Sequence, residues 1–171
     1  MLKLLILGAG GFAHTVADIA RQSGRYDKIG FLDDHAQGSY ILGNCNEFRM
    51  FAGDHVEMIP AFGNNETRLF WINQLEEAGI PVPSLVHGTA YVSPTVKLQP
   101  GTVVLPKAIV NTDCRIGKGC LVNCGAILDH GSILEEGAHL CLGAIVKAEN
   151  RIPRCTKIEA GQVIENRTYP V

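Results

Sequence analysis

Six histidines, at positions 14, 35, 55, 87, 130 and 139, are the side chains best suited to move a proton near neutral pH, where imidazole titrates. His130 stands in Ile127-Leu128-Asp129-His130-Gly131, and His139 follows in Gly137-Ala138-His139-Leu140. By position alone, each reads equally well as an outward polar residue. A different chemistry is written near the N-terminus. Gly8-Ala9-Gly10-Gly11-Phe12-Ala13 fits a G-x-G-x-x-G pattern with Ala13 in the last place. Such a turn, set between a strand and a helix, offers backbone N–H groups and a helix N-terminus to a phosphate. It serves equally for close strand–helix packing. Asp33-Asp34 closes the next apolar run, where carboxylates bond ribose or base hydroxyls. The six cysteines lack paired C-x-x-C spacing, and no histidine stands beside them at ligand spacing, so neither a zinc site nor any other metal site is expected. They read as small buried hydrophobes.

These residues need elements to hold them. Lys3-Leu-Leu-Ile-Leu7 predicts a buried strand, and Val16, Ile19 and Ala20 recur at helical spacing up to Ser23-Gly24. Lys28-Ile-Gly-Phe-Leu32 predicts a second strand. Phe62-Gly63-Asn64-Asn65-Glu66-Thr67-Arg68 predicts a turn and a helix start with Asn65 or Thr67 as N-cap. That helix runs through Leu75 to Gly79, and Ile80-Pro81-Val82-Pro83 is a stiff link. About eighty residues suit one mononucleotide-binding half and not a full two-half dinucleotide domain.

A six-residue repeat fills the remainder. Every sixth residue from Val86 to Ile164 is Val, Leu or Ile, fourteen times without a miss. Four residues after each come small side chains, among them Ala90, Thr102, Ala108, Cys114, Cys120, Ala126, Ser132, Ala138 and Ala144. Six is not a helical period. It is even, so the aliphatic column can point to one face of short strands. Short strands with a bend after each build a solenoid, and three hexapeptides give a triangular coil of about eighteen residues. A little over four coils are expected. Asn111, Asp129 and Lys147 are eighteen apart and should stack, with an Asp129–Lys147 ion pair expected. Residues 1–82 and 83–171 are the two expected domains.

Hexapeptides such as Ile116-Gly-Lys-Gly-Cys-Leu and Val122-Asn-Cys-Gly-Ala-Ile resemble those of the hexapeptide-repeat acyltransferases. With the Gly-rich turn, Leu32-Asp33-Asp34, Gly63-Asn64-Asn65-x-x-Arg68, Leu85-Val86-His87 and Val92-Ser93-Pro94, the whole order is similar to sugar acetyltransferases of the NeuD/PglD type. The resemblance implies an α/β, Rossmann-like N-terminal domain followed by an all-β left-handed parallel β-helix. It implies a homotrimer, acetyl-CoA as co-substrate and a nucleotide sugar as acceptor. Gly10, Gly11, His14, Asp33, Asp34 and Asn65 would face the nucleotide sugar, and Asn123 the acceptor. His130 would be the general base. Its motif in the family is a carboxylate on each side of the histidine; Asp129 matches the first and Gly131 stands in place of the second. His139, Gly143 and Lys147 would line the acetyl-CoA, with Arg151, Arg154 or Lys157 near its phosphates. His130 of one chain would meet His139 of another. N-acetylation of a UDP-linked amino sugar, O-acetylation of a sialic acid and a non-catalytic sugar-nucleotide-binding protein are the three readings open at this point.

Composition sets the outer limits. Hydrophobic residues are 46% and charged residues 19%, enough for a packed core and unlike a disordered chain. The formal net charge of −2 gives no reason to expect nucleic acid. No apolar run is long enough to enter a membrane as a spanning helix. The short apolar start lacks the features of an export signal, so a cytoplasmic protein is expected.

Overall fold

The computed structural model describes all 171 residues. They form two units, Met1–Pro83 and Ser84–Val171. In the first, β1 (Lys3–Leu7) leads through the Gly-rich turn into α1 (Gly11–Gln22) and then β2 (Lys28–Leu32). β3 (Ile41–Gly43), a 3-10 segment (Cys45–Phe51), β4 (Val56–Pro60) and α2 (Asn65–Glu77) follow. The strands pair in parallel in the order β3-β2-β1-β4. β1 is therefore central, and Leu4, Leu5, Ile6 and Leu7 are all buried because both faces are covered. One face carries Leu5, Leu7 and Met58 against Phe48, Leu75 and Ile80. α1 buries Ala13, Val16, Ala17, Ile19 and Ala20, a single stripe.

The cap of α2 differs from the expectation. Asn64, not Asn65 or Thr67, is the N-cap, and its Oδ1 accepts from the Thr67 N–H at 2.9 Å. The helix closes at its other end as expected, with Gly79 left-handed at φ +71° and Ile80 N donating to Leu75 O.

The second unit is a three-walled parallel β-helix of fourteen two-residue strands, β5 (Leu85–Val86) to β18 (Val163–Ile164), spaced six residues apart. The first wall stacks β5, β8 (Val103–Val104), β11 (Leu121–Val122), β14 (His139–Leu140) and β17 (Lys157–Ile158). The second stacks β6 (Tyr91–Val92), β9 (Ile109–Val110), β12 (Ile127–Leu128), β15 (Ile145–Val146) and β18. The third stacks β7 (Lys97–Leu98), β10 (Arg115–Ile116), β13 (Ile133–Leu134) and β16 (Arg151–Ile152). Residues eighteen apart are paired throughout, as in Leu121 with His139.

The two sequence columns meet inside. Val104, Val110, Ile116, Val122, Leu128, Leu134, Leu140 and Val146 form one core with Ala108, Cys114, Cys120, Ala126, Ala138 and Ala144. Small side chains sit at the corners, where the walls converge and leave no room for more. The first member departs from the pattern: Val86 is 38% exposed, because its coil has none beneath it. A third period of six appears in the backbone. From the third turn onward the second turn residue is left-handed, at 101, 107, 113, 119, 125, 131, 137, 143, 149, 155, 161 and 167. Seven of these are glycine; Lys107, Asp113, Glu149, Cys155 and Arg167 take the same conformation at a cost of about 1–2 kcal/mol each.

At the last coil Asn150 occupies the small-residue column and is fully buried. Its Nδ2 donates to Lys147 O at 2.8 Å and Glu165 O at 2.9 Å, and its Oδ1 accepts from Tyr169 N at 2.8 Å. The chain end is thereby tied back onto the helix, with Arg151 N donating to Tyr169 O. Four of the six cysteines are buried; Cys124 and Cys155 are half-buried, against the expectation for all six. No helix is long and apolar enough to cross a membrane.

Candidate functional site

At the C-terminal end of the parallel sheet, β1 turns into α1 and β4 turns into α2, on opposite sides of the switch in strand order. That is where open α/β sheets take their ligands. Gly8 is left-handed at φ +97°, and a Cβ there would lie 3.3 Å from Ala61 O and from the Phe62 ring, so the two turns touch. Gly10, Gly11 and Gly63 are different. None is left-handed, and an added Cβ would meet no atom within 4 Å. The protein's own packing does not require glycine at these three positions; a ligand lying close to the backbone would. Gly10 caps α1 without any side-chain hydrogen bond, and the first turn carries no acid. The N-terminal end of the helix macrodipole is left for an anion.

Asp33 and Asp34 hold the loops around this crevice. Asp33 Oδ2 accepts from Ala9 N at 2.7 Å, and its Oδ1 accepts from His35 N at 2.9 Å and Ala36 N at 2.7 Å. Burial pushes the Asp33 carboxyl up, but the three amides together outweigh it and hold it below its ordinary value. Asp34 Oδ1 accepts from Cys45 N at 2.8 Å. The carboxylates expected to meet a ribose are thus engaged with main chain. Asn65 Oδ1 accepts from Arg68 Nη2 at 2.9 Å, while Arg68 Nη1 donates to Phe62 O. Arg68 is fully buried, and the sequence reading assigned it no role. The available signal was a charge in line with Ile72 and Leu75, on the helix stripe that faces inward. His14 is exposed on the first turn of α1, its ring 5.3 Å from Phe31 and 6.1 Å from Tyr40.

The β-helix residues fall at two corners. His130 and Gly131 form the turn between the second and third walls, and His130 is exposed. Asp129 Oδ1 accepts from the His130 backbone N–H at 2.8 Å and from Asn111 Nδ2 at 3.1 Å, so this oxygen serves the turn and its neighbour coil. The expected Asp129–Lys147 pair does not form. Lys147 reaches up one further coil and pairs with Glu165 instead. Directly over Gly131 lies Glu149, whose N–H donates to His130 O at 3.2 Å and whose carboxylate pairs with Arg167. Gly131, Glu149, Arg167, Pro170 and Val171 line a cavity of about 400 Å³.

At the corner between the first and second walls, His139 projects outward from β14 yet is only 9% exposed. Its Nε2 lies 3.3 Å from Asn123 Nδ2. Gly143 is the left-handed residue of the next turn, stacked over Gly125. Asn123 and His139 are therefore in contact, Lys147 stacks over Asp129 beside His130, and within one chain His130 lies in the turn between the second and third walls while His139 lies on the first wall. Burial pushes up the thiols of Cys114 and Cys141, and that of Cys45 to about 11, so none is a ready nucleophile.

One feature of the second wall escaped the sequence reading. Its outward residues are Tyr91, Ile109, Ile127, Ile145 and Val163, an apolar stripe in which Tyr91, Ile109 and Val163 are exposed. Apolar outward residues recurring every eighteen positions were the signal. The third wall instead carries Lys97, Arg115, Ile133 and Arg151.

A family model for the PglD N-terminal domain matches residues 3–75. Among solved structures, the acetyltransferase domain of PglB from Neisseria gonorrhoeae is 31% identical over 98% of this chain and 84% of that one, with a TM-score of 0.94. The same domain in complex with acetyl coenzyme A matches over 96% of this chain and 82% of that one, again at 31% identity and 0.94. A perosamine N-acetyltransferase from Caulobacter crescentus, solved as a variant with CoA and GDP-perosamine, shares the fold at 24% identity, with 96% and 89% coverage and a TM-score of 0.82. No curated protein matches the chain. A small α/β domain that matches PglD, joined to a left-handed parallel β-helix that matches PglB along nearly its whole length, makes this chain a member of the PglD-type family of hexapeptide-repeat sugar acetyltransferases.

Proposed function

We propose that this protein transfers the acetyl group of acetyl-CoA to an amino group of a UDP-linked amino sugar. The observation that carries the reading is the 31% identical PglB domain, solved with acetyl coenzyme A, which matches 96% of this chain. The N-terminal crevice supplies what a nucleotide diphosphate needs. Gly10, Gly11 and Gly63 leave the backbone bare, and the α1 N-terminus has no competing acid. Asn65 and His14 border it.

The chemistry requires a base and no covalent enzyme intermediate. The sugar amine attacks the thioester carbonyl carbon, the carbon–sulfur bond breaks, and the coenzyme leaves as its thiol. His130 takes the proton that the amine loses and returns it to the departing thiolate. It suits this task because it is exposed on a turn whose backbone is pinned by Asp129 and Glu149. His139, Gly143 and Lys147 are assigned to the acetyl-CoA side. The apolar second-wall stripe supports a homotrimer, in which His130 of one chain meets the His139 corner of another. The protein works in the cytoplasm, where its thiols stay reduced.

Mass spectrometry of UDP-amino sugars incubated with acetyl-CoA and the protein tests the reaction, with a gain of one acetyl group expected. In His130→Ala, turnover should fall at least about 100-fold while calorimetric CoA affinity stays the same. UDP binding without CoA binding in the wild type would refute the enzyme reading. Undiminished turnover in His130→Ala would remove His130 as base.

A further inference from the structure

We infer that Asn123 is a positioning residue which fixes the tautomer of His139. An amide has one accepting end and one donating end, and here a neighbour decides which is which. The Cys124 backbone N–H lies 2.8 Å from Asn123 Oδ1. A backbone N–H can face only an acceptor, so the oxygen of the carboxamide is on that side. Its NH2 is then the group that faces His139 Nε2 at 3.3 Å.

The same turn device recurs in this β-helix. Asn111 Oδ1 accepts from Thr112 N at 2.9 Å, and its Nδ2 donates to the coil above, onto Asp129 Oδ1 at 3.1 Å. Asp129 Oδ1 likewise accepts from the following N–H, that of His130. In each case an Asn or Asp just after a strand bonds the next amide with its oxygen. The orientation of Asn123 is thus a property of the turn.

With an N–H pointing at it, His139 Nε2 must be the unprotonated, accepting nitrogen, and the ring proton resides on Nδ1. The ring is neutral in this state. It offers a hydrogen-bond donor at Nδ1 and no proton-accepting site that is not already committed. His139 therefore does not act as the general base; that role is left to His130. This last step rests on the acetyltransferase reading, whereas the tautomer rests on geometry alone.

Nitrogen-15 NMR of the imidazole rings in the full-length protein, without ligands and at neutral pH, reads the tautomer directly. Wild type should show His139 Nε2 at a pyridine-type shift and Nδ1 at a pyrrole-type shift. Asn123→Asp keeps the oxygen that Cys124 needs, as Asp129 shows, but presents a carboxylate oxygen to Nε2. Nε2 should then move to the protonated range. Asn123→Ala should release the ring to a mixture of tautomers, and amide spectra of both variants report whether the coil remains folded. Wild-type Nε2 in the protonated range, or a folded Asn123→Asp with an unmoved Nε2 shift, overturns the assignment whatever the protein's activity. Loss of acetyl transfer alone would bear only on the reaction.

Discussion

Replacing Asp33 by Asn should loosen the Gly-rich turn, and the structure gives the size of the effect. Three amides converge on this carboxylate: Ala9 on Oδ2, and His35 with Ala36 on Oδ1. An Asn can keep its oxygen on His35 and Ala36, but its NH2 then faces the Ala9 N–H, donor against donor. One charge-assisted bond is lost, about 1.5–3 kcal/mol, and the other two lose their charge. Asp33 is only half-buried, so water recovers part of this, and we expect about 2 kcal/mol. For a unit of this size that lowers its melting midpoint by roughly 8–16 °C. The assay is clean because the one tryptophan, Trp71, lies in the N-terminal unit, so its fluorescence follows that unit in urea.

The pH dependence has a definite sign. The folded Asp33 carboxyl lies below its ordinary value, so its contribution is complete above that value and disappears as pH falls through the folded one. The gap between wild type and Asp33→Asn should be constant from neutral pH down to about pH 5 and close at lower pH, where the carboxylate is protonated. Equal stability at neutral pH, or a gap that persists unchanged in acid, refutes the reasoning.

Two further substitutions probe the β-helix. A Cβ at Gly117 would lie 2.8 Å from Glu136 N and 3.0 Å from Leu134 O, both main chain of the next coil, so Gly117→Ala should cost about 1–3 kcal/mol. At Gly125, left-handed but open, Ala should cost about 1 kcal/mol; thermal unfolding by circular dichroism ranks them, and equal midpoints would contradict the packing argument. Ile127→Glu places a charge in the middle of the second-wall stripe and should convert the proposed trimer into monomers by analytical ultracentrifugation. A variant still trimeric at the wild-type concentration would move the assembly face elsewhere.

The regular parts of this fold are local, and they were legible. β1 and β2 appear with the expected ends because each is a short apolar run stopped by a charged or glycine-bearing turn. The β-helix was legible because each coil repeats the same demand: one aliphatic inside, one small residue at the corner, eighteen residues to the stacking partner. β3 and β4 were not. Val56-Glu-Met-Ile-Pro60 contains a charge and ends in proline, which an edge strand tolerates and a central one does not. Glu57 is held there by Arg25 and Tyr26, 32 and 31 residues away in the chain. The α2 cap was also misplaced, since Asn65 or Thr67 was expected and Asn64 caps the helix. The Asn65 oxygen is taken by Arg68 instead.

Sequence alone thus determined the architecture, the Gly-rich turn and the identity of the candidate histidines, because periodicity and residue type act over a few neighbours at a time. Tertiary structure alone decided what each polar group is doing. Asp33 bonds main chain, Lys147 chooses Glu165 over Asp129, and Asn123 turns its NH2 to His139. Each outcome depends on which donors and acceptors remain after distant segments have claimed theirs, a competition settled only when the coils have stacked.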